Sequence, residues 1–174
     1  MKGPLRIAVC GAGQCDPTVY EQAREVGLCL ARAGAIVLTG GLGGVMEAAC
    51  RGAREAGGLT VGILPGEDTR AANRYVWLPI ATGMGQARNV ILILSASAVV
   101  AIAGEAGTLS EIALALKLGR PVVALGSWQL RRSDGTEETR IYTVSSPQEA
   151  ADLALRLASS DPPPQPLASR GSGW

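Results

Sequence analysis

An α/β fold, with a doubly wound, mainly parallel sheet and helices on both faces, is what this sequence predicts. Three observations point to it. Short apolar runs alternate with amphipathic stretches of helical period, the runs show little polar alternation, and glycine clusters follow several of them. With 174 residues, the chain can bury roughly 70% of its unfolded surface around one core. Residues 1–160 are read as that single domain. Residues 161–174, rich in Pro, Ser and Gly, are read as a flexible tail that cannot offset its ordering entropy.

The elements follow in order. Leu5–Cys10 is a first buried strand, closed by Gly11-Ala12-Gly13. Asp16 and Pro17 open a helix as N-cap and first helical residue. Its stripe is Val19, Ala23, Val26, Leu30 and Ala33, and Gly34 ends it. A strand at Ala35–Leu38 leads into Gly40-Gly41-Leu42-Gly43-Gly44 and a helix from Val45 to about Ala56. Strand Leu59–Leu64, loop Glu67–Arg74, a short strand Tyr75–Pro79 and a turn at Thr82–Gly85 come next. Gln86–Ser95 reads as a helix apolar on nearly every face, Ala98–Ile102 as a strand and Thr108–Leu118 as a helix. Strand Pro121–Leu125, a loop or hairpin at Ser127–Arg140 and an edge strand Ile141–Val144 follow. Ser146-Pro147-Gln148-Glu149 is a capping box that opens the final helix, to about Ala158. Ligands of such sheets lie beyond the carboxyl ends of the strands, where the glycine loops fall.

Composition removes several classes of function. Mean hydropathy is +0.21, but no stretch approaches the ~20 apolar residues of a membrane span, so a soluble protein is expected. Met1–Val9 lacks the length and cleavage site of a signal peptide, and a cytoplasmic location is expected. A net charge of +1 gives no general attraction to nucleic acid or anionic membrane, which leaves a small-molecule ligand. Cys10, Cys15, Cys29 and Cys50 show no C-x-x-C spacing and read as reduced thiols. There is no histidine, so Ser-His-Asp and Cys-His catalysis and the commonest transition-metal ligand are absent; no metal site is expected. Lys2 and Lys117 are the only lysines, which leaves Schiff-base chemistry almost without a candidate.

Two common nucleotide motifs also fail. Gly11-Ala12-Gly13 begins G-x-G-x-x-G, but Asp16 holds the third glycine position, and Leu38-Thr39-Gly40 supplies no acid for a ribose 2′-hydroxyl. No lysine follows a glycine loop, which excludes a Walker A site. What remains is a pair of loop-to-helix junctions, Thr39–Met46 and Ile102–Leu118, each presenting free N–H groups and a helix dipole to an anion.

These junctions resemble the Lonely Guy (LOG) family, with its G-G-x-x-G-[LV]-M loop and later P-G-G-x-G-T-x-x-E. Here the motifs read Gly40-Gly41-Leu42-Gly43-Gly44-Val45-Met46 and Ala103-Gly104-Glu105-Ala106-Gly107-Thr108-Leu109-Ser110-Glu111, with the intervening arginine in Gly85-Gln86-Ala87-Arg88-Asn89. The resemblance covers about residues 5–126. The chain is similar above all to a bacterial branch carrying A-T-G-M-G-x-A-R-N and G-T-L-S-E-I-A-L-A-L-K-L-G. The resemblance implies a Rossmann-like homodimer or higher homo-oligomer. It also implies hydrolysis of the N-glycosidic bond of a purine, cytokinin-type nucleoside 5′-monophosphate, with no cofactor. Members are often labelled lysine decarboxylases, a label the lysine count opposes. Related proteins include carriers of the molybdenum cofactor, whose pterin bears a phosphate, so the alternative is a non-catalytic carrier.

The resemblance makes Glu111 and Arg88 the catalytic pair. Glu111 would hold ribose hydroxyls and stabilise an oxocarbenium-like transition state; Arg88 would contact the ligand near its phosphate or base. Each also has a structural reading. Thr108 to Glu111 is itself a capping box, and Arg88 could form an ion pair with Glu111 or Glu47. Gly40, Gly41, Gly43, Gly44, Gly104, Gly107 and Thr108 are the candidate phosphate cradle; Glu47, Asn89 and Gly11 are further candidates, and Met46 is read as core. Tyr75, Trp77 and Trp128 are read as packing residues by default. Two positions depart from the family motif. Ala103 replaces its proline, which is expected to soften the turn, and Glu105 replaces a glycine, placing a charge beside the phosphate site.

Overall fold

The structure, a computed structural model, describes residues 3–160. The segment expected to be a tail, 161–174, lies outside the described residues. In chain order the elements are β1 (Arg6–Gly11), α1 (Pro17–Arg32), β2 (Ile36–Thr39), α2 (Val45–Glu55), β3 (Thr60–Leu64) and β4 (Leu78–Ala81). They continue with α3 (Asn89–Ser95), β5 (Ala98–Ile102), α4 (Ala106–Lys117), β6 (Val122–Leu125), β7 (Ile141–Val144) and α5 (Pro147–Ser159). The strands form one sheet in the order β4-β3-β2-β1-β5-β6-β7, and every pairing is parallel. The doubly wound expectation is therefore met. No helix among the described residues is long and apolar enough to cross a membrane.

The alternation of side chains along β1 divides the core into two layers. Ile7 and Val9 face α1, α2 and α5, packing against Val26, Ala49 and Ala151; Ala8 and Cys10 face α3 and α4, packing with Leu92, Ile93 and Ile112. Small residues bring α1 and α2 very close. A Cβ on Gly27 would lie 2.0 Å from the Ala49 carbonyl oxygen, and one on Gly52 would lie 1.7 Å from that of Arg24. This contact fixes where the N-terminus of α2 points.

Local differences from the sequence reading have physical causes. Ala33 is the exposed C-cap of α1, and Ala31 takes its place on the buried stripe. The short strand begins at Leu78, not Tyr75, because Thr60 Oγ1 donates to the Tyr75 carbonyl and accepts from the Trp77 N–H, holding that segment as a turn. Pro79 is tolerated in β4 because β4 is an edge strand. The stretch 86–95 is split into a 3₁₀ turn, Gly85–Arg88, followed by α3. The loop before β7 closes as a hairpin through an antiparallel bridge between Arg131 and Glu137.

Ala103 does not soften its turn. Its φ is 45°, the only positive value for a non-glycine among the described residues, and proline, fixed near −65°, could not adopt it. Ala103→Gly should therefore stabilise the fold by about 1 kcal/mol, by relieving left-handed strain. Urea midpoints at constant m-value measure this.

Candidate functional site

Strand order reverses at β1, whose neighbours are β2 and β5, and Gly11 at the end of β1 lies in register with Ile102 at the end of β5. The crevice of a doubly wound sheet opens at that point. Four helices that follow strands directly begin along this edge. α1 and α5 carry side-chain caps: Asp16 accepts from the Val19 N–H, and Ser146 accepts from the Glu149 N–H. α2 and α4 carry none, with Gly44 and Glu105 as their N-caps. The two helices flanking the crevice thus have no side chain of their own closing their N-termini.

The loop 40–44 is folded tightly beneath its helix. Gly41, at φ 77°, donates its N–H to Thr39 Oγ1, and the Val45 N–H is taken by the Ala12 carbonyl. These two donors are therefore closed to a ligand. Among the described residues no hydrogen bond uses the N–H of Gly43 or Gly44. Asn73 clamps the loop from outside: its N–H donates to the Gly41 carbonyl and its Nδ2 to the Leu42 carbonyl, both at 2.8 Å. A lone asparagine in a polar loop gives no sequence signal for that role. Gly11 is required because Val45 fills the space of its Cβ, so it packs α2 onto β1.

The helix α4 begins two residues earlier than its sequence suggests, which removes the expected capping box. Glu105 is the N-cap, and Thr108, 2% exposed, sits inside the first turn against Gly104. Glu105 is exposed, and its carbonyl accepts from the Leu109 N–H. Gly107 is exposed, and a Cβ there would meet nothing within 4 Å.

With capping excluded, Glu111 needs another explanation. It is 7% exposed and faces Cys10 of β1, whose thiol hydrogen-bonds to it, and Arg88. Burial pushes the Glu111 carboxyl up to about 7; the Arg88 charge and the Cys10 hydrogen bond oppose that rise. The Cys10 thiol is raised well above its ordinary value, first by burial and then by the Glu111 charge. It is a buried donor rather than a nucleophile.

Arg88 is 5% exposed, and its Nη1 donates to the Ile63 carbonyl at 2.7 Å. Its guanidinium lies over Gly40, where a Cβ would sit 2.2 Å from Nη1. The contact ion pairs of the described residues do not include Arg88 with either Glu111 or Glu47. Its Nε and the Oδ1 of Asn89, 4% exposed, are buried without partners. Orphaned polar atoms of this kind are costly, and a ligand would satisfy them. Met46 is core as expected, with its sulfur against Gly40, whereas half-buried Glu47 acts on Cys50 and not on Arg88.

The raised carboxyl makes a pH signature. Between its ordinary 4.5 and about 7, folded Glu111 keeps a proton that the unfolded chain has released. The stabilisation is complete below that window and is lost as pH rises through it, by about 3 kcal/mol. Glu111→Gln should flatten this decline in a series of urea melts from about pH 5 to 8.

A cleft of about 430 Å³ adjoins the crevice, lined by Ala103, Gly104, Gly126, Ser127, Trp128 and Gln129. Trp77 and Trp128 are not packing residues: they are 56% and 37% exposed.

Comparison with known proteins agrees with this architecture. A protein of Archaeoglobus fulgidus is 47% identical over 149 residues, covering 82% of this chain and 96% of that one. Among solved structures, the molybdenum cofactor binding protein of the phototrophic bacterium Rippkaea orientalis superimposes with a TM-score of 0.80 at 36% identity, over 90% of this chain and 98% of that one. The molybdenum cofactor carrier protein of Chlamydomonas reinhardtii gives 0.77 at 33%, over 91% and 100%. The sequence profile of the SLOG cluster4 family matches residues 4–151, and this chain belongs to that family.

Proposed function

We propose that this protein binds and carries a phosphate-bearing pterin of the molybdenum-cofactor type in the cytoplasm. One observation carries the reading: the uncapped N-termini of α2 and α4 and the buried, partly unsatisfied Arg88 converge at the switch point of the sheet. The similar solved structures bind this cofactor by name, at a third of residues identical.

The residues present fit such a cargo. The N–H groups of Gly43, Gly44, Gly107 and Thr108 would hold the phosphate, with Gly40, Gly41 and Gly104 shaping the loops that carry them. The Arg88 guanidinium would supply the countercharge, and Asn89 Oδ1 would accept an N–H of the ligand. The Ile63 carbonyl holds Arg88 in place, and the Glu111 carboxyl interacts with its charge. The protein assembles as a homodimer or higher homo-oligomer. In support of this, Leu78 and Ile80 on the edge strand β4 and Val90 and Leu94 on α3 are exposed.

The second reading, a phosphoribohydrolase of purine nucleoside 5′-monophosphates, has its own observation. Glu111 titrates near 7 beside Arg88, in the range suited to a general acid or base. Incubation with AMP and with GMP separates the two. The carrier reading expects no free base above background. Release of base and ribose 5-phosphate that disappears in Glu111→Gln would replace it with the hydrolase.

A further inference from the structure

We infer that the cleft between the loops after β5 and β6 is a ring-binding subsite, in which Trp128 stacks a planar 2-amino-4-oxo heterocycle of the pterin or guanine type. This rests on the reading that the neighbouring helix N-termini hold a phosphate, and it assigns the other end of that ligand.

The cleft has the size and position for this. Its volume of about 430 Å³ falls in the range of small-ligand sites, and it opens at the carboxyl edge, one strand from the switch point. Its walls are fixed to one another. Trp128 Nε1–H donates to the Glu105 carbonyl at 3.3 Å, and Ser127 Oγ donates to the Ala103 carbonyl at 2.5 Å. Both bonds tie the loop after β6 to the loop that precedes α4. The indole is thus anchored at its polar edge while 37% of the residue stays exposed along an open, shallow cleft. A tethered, exposed aromatic surface is a stacking platform. The left-handed strain at Ala103 lies in the same wall, as strain does where a site is held ready for a ligand.

The choice of ring follows from Glu105. This residue is exposed, follows the lining residue Gly104 and touches Trp128 through its backbone carbonyl, so its side chain starts next to the cleft and its carboxylate is within reach of a ring held there. A carboxylate accepts two hydrogen bonds side by side. A 2-amino-4-oxo ring offers a ring N–H and an adjacent amino group in that arrangement. Adenine instead presents a bare ring nitrogen beside its amino group, and a carboxylate repels that lone pair. The charge that looks misplaced beside a phosphate loop therefore serves the ring.

Calorimetric titration with ribose 5-phosphate, AMP and GMP tests the assignment. GMP should bind about tenfold more tightly than ribose 5-phosphate and more tightly than AMP. Trp128→Ala should abolish the gain from the ring and leave ribose 5-phosphate affinity unchanged, Trp128→Phe should retain most of it, and Glu105→Gln should erase the preference for GMP. Melting curves of each variant confirm folding. Equal affinity for GMP and ribose 5-phosphate, or a GMP affinity unmoved in Trp128→Ala, would overturn the ring subsite while leaving the phosphate site standing. Failure of all three probes to bind would overturn both.

Discussion

Arg88→Met should weaken binding of a phosphate-bearing ligand about 1000-fold, or about 4 kcal/mol. The size of the effect comes from burial. Arg88 is 5% exposed, with its guanidinium against the Ile63 carbonyl and Gly40, and burial lowers its pKa from the ordinary arginine value, against the opposing charge of Glu111. A guanidinium remains a cation under such conditions, so the site holds a desolvated positive charge with one donor, Nε, unspent. An anion placed there meets little screening. Methionine keeps the bulk over Gly40 but removes both the charge and the Nη1 hydrogen bond to the Ile63 carbonyl. Arg88→Lys should recover only part of the affinity, because a point charge cannot donate from the fixed positions of the fork. Loss of the Arg88 charge should also push the Glu111 carboxyl further up, which a shift of its stability window to higher pH reports. Calorimetry with ribose 5-phosphate, together with urea melts, measures both effects.

Gly52→Ala should destabilise the fold by about 4 kcal/mol, despite alanine's better helix propensity. Propensity favours the substitution by about 1 kcal/mol, but the new Cβ would lie 1.7 Å from the Arg24 carbonyl oxygen and 3.0 Å from the Leu28 nitrogen. Backbone cannot move aside as a side-chain tip can. The helices α1 and α2 must separate, and the core beneath them, Val26, Ala49 and Ala53, must open. Gly27→Ala should act alike from the other side, 2.0 Å from the Ala49 carbonyl oxygen. Because α2 carries the loop 40–44 on its N-terminus, either variant should also weaken ligand binding. The surface network of Arg24 with Glu21 and Glu55 and of Arg51 with Glu55 spans the same two helices, but exposed pairs of this kind contribute little. Chemical denaturation at constant m-value checks the stability, and the same titration as above checks the binding.

Much of this architecture is legible in the residues because it is local. Asp16-Pro17 and Ser146-Pro147 announce their helices through caps that form as read, and the buried strands show themselves as apolar runs of four to six residues. Glu111 and Arg88 are recognisable as candidates, and the fold brings them into one cluster. The third member, Cys10, is hidden, because its only signal is a place near the end of a strand. Long-range approach is what the residues conceal. Gly27 and Gly52 look like weak points in their helices until the helices are seen to touch. Asn73 looks like any loop residue until it grips the Gly41 and Leu42 carbonyls. The capping-box reading of Thr108 and Glu111 fails for a related reason: spacing alone cannot tell whether a helix begins at the box or two residues before it.

The central claim is that the crevice at the switch point holds a phosphate-bearing pterin and releases it intact. Native mass spectrometry, on protein freshly purified from cells that make the molybdenum cofactor, tests it directly. The carrier account predicts an added mass that matches a phosphate-bearing pterin and is absent from Arg88→Met. Wild-type protein that emerges at its bare mass under those conditions, and does not take up the cofactor when it is supplied, would contradict it.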